Sequence, residues 1–170
     1  MNKILYVPEP ILRQKANYIK NITKKEIDIS KKMVDIMLKA PGVGLAANQI
    51  GILKRIVTIN IQNQETKIDN IKILFNPSII FYSKKKITME EGCLSLPQQY
   101  ADIERSEEIV VKFTNENNEV LEEKKTGYES RILQHEIDHL DGKLFIDYLS
   151  HLKRNIILKK LKKLKKLGEI

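Results

Sequence analysis

The 170-residue sequence predicts an α+β fold, with antiparallel β-sheets around a central helix that carries a short histidine motif and a further helix at the C-terminal end. Three observations point there. Apolar residues recur at helical spacing in three separate stretches, and alternate with period two in three others. The strand candidates are separated by short polar turns, which favour antiparallel neighbours over crossover helices. The stretch 129–140 is apolar on more than one side, as a helix enclosed by sheet should be.

Taken in order, the first helix is read over 26–39, where Ile29, Met33, Ile36 and Met37 fall on one face. Pro41 ends it, because proline disfavours helix at the residue before it. The next segment, PGVGLAANQIG, is rich in glycine and reads as a loop-rich stretch that permits close backbone approach. Strand candidates follow at KRIVTINIQ (Val57, Ile59, Ile61), NIKILFNP (Ile71, Ile73, Phe75) and EEIVVKFTN (Ile109, Val111, Phe113). The polar segments NQETKIDN and TNENNE serve as turns, and 79–97 reads as extended chain leading to Cys93. ESRILQHEIDHL, 129–140, is the second helix, with Gly142 as a left-handed cap just beyond it. The third helix is 152–167, where Leu158, Leu161, Leu164 and Leu167 recur every three residues and lysines cover the rest. No repeat or linker divides the chain. The organisation expected is one domain, with its body over 1–150 and 151–170 a basic C-terminal helix of the same domain.

Composition narrows the function classes. Hydrophobic residues make up 42% and charged residues 31%, which suits a folded chain and not a disordered one. The formal charge is +8, of which +7 lies in residues 153–170, so the body is nearly neutral and offers no basic face. A single cysteine argues against a disulfide scaffold and fits a reducing compartment. With no apolar run long enough for a signal peptide or a membrane span, the expected location is the cytoplasm, without membrane contact.

Chemistry concentrates in His135-Glu136-Ile137-Asp138-His139, an H-E-x-x-H sequence. Residues at i and i+4 share a helix face, so both imidazoles can reach one cation, and Glu136 can lie against a water beside it. A catalytic site of this kind needs a third protein ligand and an open position. Downstream candidates are sparse: His151 lies beyond the Gly142 break, and the acids are Asp141, Asp147 and Glu169. Upstream, Cys93 offers a thiolate, a good ligand for a first-row dication. Taken on these residues alone, a zinc endopeptidase, a hydrolase with Cys93 as nucleophile and a basic RNA-binding module all stay open.

Three motifs then carry a resemblance. Gly42-Val43-Gly44-Leu45-Ala46-Ala47-Asn48-Gln49, Glu91-Gly92-Cys93-Leu94-Ser95 and Gln134-His135-Glu136-Ile137-Asp138-His139 match G-x-G-L-A-A-x-Q, E-G-C-L-S and Q-H-E-x-D-H, in order and at similar spacing. The chain resembles bacterial peptide deformylases over roughly residues 3–165. The resemblance implies a metal-dependent hydrolase that removes the formyl group from N-formylmethionine of nascent polypeptides. It implies one divalent ion held by Cys93, His135 and His139, iron(II) in the cell, with zinc or nickel as alternatives. Glu136 is implied as the proton-transfer residue, and the Gln49 side chain and Leu94 N–H as donors to the oxyanion. Val43, Gly44 and Gly92 would pair with an extended substrate, and Val43, Met89, Ile132 and the His135 ring would receive the methionine side chain. The basic tail helix suggests contact with the ribosome. Two positions depart from the family pattern: Tyr100, where an arginine is common, and Arg131, where an aliphatic residue is usual. Both are expected at the substrate rim.

Overall fold

A computed structural model describes residues 3–62 and 69–169. Helix α1 spans Lys24–Lys39, two residues earlier than its apolar pattern suggests, because Thr23 and Glu26 form a capping box at its start. It is followed by β1 (Gly44–Ala46), β2 (Ile56–Asn60), β3 (Ile71–Tyr82), β4 (Lys86–Cys93), β5 (Leu96–Ser106), β6 (Glu108–Thr114) and β7 (Val120–Thr126), then α2 (Gly127–Leu140) and α3 (His151–Leu167). A five-stranded sheet runs in the order β1-β2-β3-β6-β7, and β4 pairs with β5 in a separate two-stranded sheet. Every pairing between these strands is antiparallel.

Strand β2 is buried along its whole length because helices cover both of its faces. Val57 and Ile59 pack with Ile132, Leu133, Ile137 and Leu140 of α2, while Ile56 joins Met33 and Met37 of α1. Full burial of each such aliphatic side chain is worth about 1.5–3 kcal/mol. Helix α2 touches β1, β2, β3, β5, β6 and β7, so it meets both sheets. It ends as its sequence requires. Gly142 has φ +74°, its N–H donates to His139 O (3.0 Å), and the Lys143 N–H donates to Asp138 O (2.9 Å).

Several elements differ from the sequence expectation. PGVGLAANQIG is no open loop: residues 44–50 form β1 and a tight 3₁₀ turn, all buried, since small side chains let the backbone thread between α1 and α2. The stretch 79–97 is not one extended run. β3 continues to Tyr82, β4 begins at Lys86, and the chain reverses at Leu94-Ser95 into β5. Neither β5 nor β7 has an apolar alternation that announces it, and each is defined by its partner's register. The turn at TNENNE is confirmed: Asn115 Oδ1 accepts from the Asn117 and Glu119 N–H groups, at 2.9 and 3.0 Å. Most of the turn expected at NQETKIDN, residues 63–68, lies outside the described residues. Helix α3 is capped by Ser150 and buries only Ile157 and Leu161, which join a cluster with Leu12, Leu96, Ile103 and Ile146. No described helix is long and apolar enough to cross a membrane.

Candidate metal centre

His135 and His139 project from one face of α2, their ring centroids 5.0 Å apart. Cys93 closes β4 at an irregularity in the register between Gly92 and Cys93, which turns its side chain toward the helix. Its Sγ lies 3.2 Å from His139 Nε2. One ligand atom from each of Cys93, His135 and His139 falls within 4.8 Å of the others, the only such group of His, Cys, Asp or Glu among the described residues. A thiolate and two imidazoles form a donor set suited to zinc or iron(II), and a fourth position remains for water or substrate. The residues fit a metal ion.

The surroundings prepare these groups. Burial disfavours a charge on His135, but Cys93 and Glu91 beside it outweigh burial and raise its pKa well above the ordinary value. Burial pushes His139 well below it, and neighbouring His135 adds to the effect. Burial also raises the Glu136 carboxyl to about 7, where it can both take and release a proton near neutrality. A cation beside it would draw that value down. Glu136 Oε2 is buried without a hydrogen-bond partner among the described residues.

A buried network stands behind His135. Its Nδ1 donates to Glu91 Oε2 at 3.0 Å, which fixes the ring orientation. Arg105 grips Glu91 with two hydrogen bonds (2.6 and 3.0 Å) and reaches Asp138 Oδ2 at 2.7 Å, and Tyr148 donates to the same oxygen at 2.8 Å. Burial works to raise the Glu91 pKa, but His135 and Arg105 hold it at about 2. Glu91 and Asp138 lie inside the quoted motifs. Arg105 has no local signal, because only the pairing of β4 with β5 brings it onto the same sheet face as Glu91.

A cavity of about 570 Å³ opens in front of the three ligands. Val43, Gly44, Gln49, Gly92, Cys93, Leu94, Ile132, His135 and Glu136 line it; His139 sits behind the wall, and Met89 is not among the lining residues. Gln49 is held by the Ala46 N–H, which donates to its Oε1 (2.8 Å), and its Nε2 is turned toward Ser95 Oγ (3.1 Å) and Cys93 Sγ (3.7 Å). The Leu94 N–H, in the turn between β4 and β5, donates to no backbone carbonyl among the described residues. Gly44 has a role the sequence does not announce: a Cβ there would overlap Glu136 Oε1 and stand 2.9 Å from Glu136 Cδ. Tyr100 is exposed at the cavity rim, as expected. Arg131 lines the cavity too, but it is only 5% exposed, and its guanidinium turns inward to Glu91.

Against known proteins, the polypeptide deformylase family model matches residues 1–155. A peptide deformylase of Rickettsia canadensis is 40% identical over 167 residues, covering 95% of each chain. The crystal structure of peptide deformylase from Ehrlichia chaffeensis superposes with a TM-score of 0.92 at 31% identity, covering 99% of this chain and 98% of that one. A peptide deformylase structure from Legionella pneumophila gives 0.90 at 37% identity, covering 99% and 98%.

Proposed function

The chain belongs to the polypeptide deformylase family, and on that premise we propose how its own residues carry the reaction. The enzyme removes the formyl group from formylmethionyl nascent peptides and depends on a metal ion, as its family does. Cys93, His135 and His139 hold the ion in this proposal. Bound there, a divalent cation supplies Lewis acidity and makes a neighbouring water more acidic. The observation that carries the reading is the convergence of three ligand atoms within 4.8 Å beside the unpartnered, buried Oε2 of Glu136.

Glu136 accepts the proton of the attacking water and returns it to the departing amine, a task that its buried, unpartnered Oε2 suits. The Gln49 amide and the Leu94 N–H stabilise the oxyanion that develops on the formyl oxygen as water attacks the carbon. The fixed orientation of the Gln49 amide supports this, since a donor fixed in advance needs no rearrangement when charge appears. The substrate lies extended, pairing its backbone with Val43-Gly44 on one side and Gly92 on the other. Such pairing ignores side chains, which suits a catalyst that meets many sequences. Val43, Ile132 and the His135 ring receive the methionine side chain. The proposed metal in the cell is iron(II), with zinc or nickel able to replace it. The work is proposed to take place in the cytoplasm, where new chains emerge, with the exposed lysines of α3 touching ribosomal RNA.

Anaerobic purification should yield one metal per chain, whose identity elemental analysis will give. Turnover of formyl-Met-Ala-Ser should fall by about 10²–10⁴ in Glu136→Ala with metal content unchanged. An E136A protein with full activity and full metal would sink the mechanism. Ribosome association that survives truncation after Ser150 would sink the α3 contact.

A further inference from the structure

Position 131 lies one helical turn before His135 on the same face of α2. A lone arginine at a cavity wall ordinarily extends its charged head to water. Arg131 does the reverse. Its Nη1 donates to Glu91 Oε1 (2.6 Å) and to Ile103 O (2.9 Å), and its Nη2 donates to Ile87 O (2.5 Å). Ile87 belongs to β4 and Ile103 to β5, so one side chain fastens both strands of the hairpin to the helix. That hairpin ends in Cys93, and the helix carries His135 and His139.

The shared acceptor matters. Glu91 Oε1 takes a hydrogen bond from Arg105 Nε and another from Arg131 Nη1, both at 2.6 Å. Oε2 is left to Arg105 Nη2 and His135 Nδ1, both at 3.0 Å. Arg105 alone must also serve Asp138. With Arg131 present, the Glu91 and Asp138 carboxylates face two guanidinium groups. The Arg105 contact with Glu91 is bidentate and fixes geometry as well as charge, and Arg131 adds one further bond to the same carboxylate.

We propose that Arg131 is a positioning residue for the metal centre: it locks Glu91 against His135 and holds the Cys93 hairpin at a fixed distance from α2, thereby slowing metal release. The proposal rests on Cys93, His135 and His139 being the metal ligands. It gives the departure at position 131 a role behind the ligands and not at the substrate rim.

The test uses the zinc-loaded, full-length protein and measures zinc transfer to an excess of chelator well below the unfolding temperature. Arg131→Leu should release zinc about tenfold faster than the parent protein, in line with the loss of an outer-shell partner. Arg131→Lys, which keeps the charge but cannot span all three acceptors, should fall between and serves if the leucine variant does not fold. The His135 Nδ1–H resonance should exchange faster with solvent in both variants. Lys125→Met is the control, since it removes ion pairs to Glu123 and Glu129 at the start of α2, away from the ligands. It should lower stability and leave zinc release unchanged. Parent-like release in Arg131→Lys or Arg131→Leu overturns the proposal, and so does equal acceleration in K125M, which would reduce Arg131 to a stabilising contact. A parent protein that binds no zinc would instead overturn the assignment of the ligands.

Discussion

Helices α2 and α3 make an instructive pair, at 14 and 17 residues. Leucines recur along α3 in a regular series, yet only Ile157 and Leu161 are buried. In α2, Ser130, Arg131, Gln134, His135, Glu136 and His139 are all buried together with the apolar residues. Hydrophobicity does not separate the two helices; partners do. Gln134 exchanges hydrogen bonds with the backbone of Ser106 (3.2 and 2.8 Å), Ser130 donates to Ser106 O (3.2 Å), and His135 and Arg131 converge on Glu91. Each polar group on α2 that can be satisfied by the hairpin is satisfied, which removes most of the cost of burying it. The exceptions are Glu136 Oε2 and the Nδ1 of His139, whose Nε2 faces Cys93. The lysines of α3 have no such surroundings, and they keep its outer face in water.

Short of replacing Glu136 itself, the largest effect expected comes from crowding its carboxylate, which has no partner on Oε2 among the described residues. Gly44→Ala places a methyl group where Glu136 now lies, and the carboxylate must move. A displacement of about 1 Å at a reacting group costs roughly a hundredfold in rate. The kcat for formyl-Met-Ala-Ser should fall by about that factor with zinc content unaltered, while the melting temperature shifts little. Parent-like turnover would show that Glu136 tolerates displacement and weaken its assignment as the proton-transfer residue.

What the sequence disclosed follows the same division. The paired histidines were legible because i, i+4 spacing on a helix is a local property, and the three quoted motifs carried the ligand set and the family. The helix of 26–39 and the strands at Val57, Ile71 and Ile109 were legible from period alone. Arg105 was not, because it meets Glu91 only through the register that sets Glu91 opposite Ala101 and Arg105 opposite Ile87. Gly44 read as part of a loop-rich stretch, since nothing local reports that a side chain from α2 fills the space above it. Arg131 was read as a rim residue for the same reason: its acceptors belong to β4 and β5. Strand β7, with Lys125 as its one buried residue, has no apolar signal to read.

A smaller effect tests the partner rule outside the metal centre. Glu26 is buried at the start of α1, where Lys54 and then Thr23 hold its carboxyl at about 2 against the ordinary 4.5. A depressed carboxylate adds stability that is present above its unfolded pKa and is lost as the pH falls through the folded one. Glu26→Gln keeps a side chain able to complete the capping box, so the loss should be that of the charged bond to Lys54, about 1 kcal/mol at pH 7. The difference between parent and variant in urea unfolding should shrink as the pH is lowered from about 4.5 toward 2. A gap that persists unchanged at pH 2 would mean that the carboxylate charge is not what stabilises this helix start.

The smallest effect on stability belongs to α3. Lys162, Lys163 and Lys166 are exposed and form no ion pair among the described residues. Replacing all three with glutamine should change the unfolding free energy by no more than about 0.5 kcal/mol, since exposed side chains without partners contribute little. Deformylation of a short peptide should be unaltered, because the cavity lies on other elements. Ribosome association is the measurement that separates the two helices. If α3 contacts RNA phosphates, the triple variant should bind more weakly at low salt, and its plot of log affinity against log salt should be shallower by roughly 0.7–0.9 for each contact removed. An unchanged slope would leave these lysines with one task, keeping a leucine-rich helix in water at the edge of a core it only partly joins.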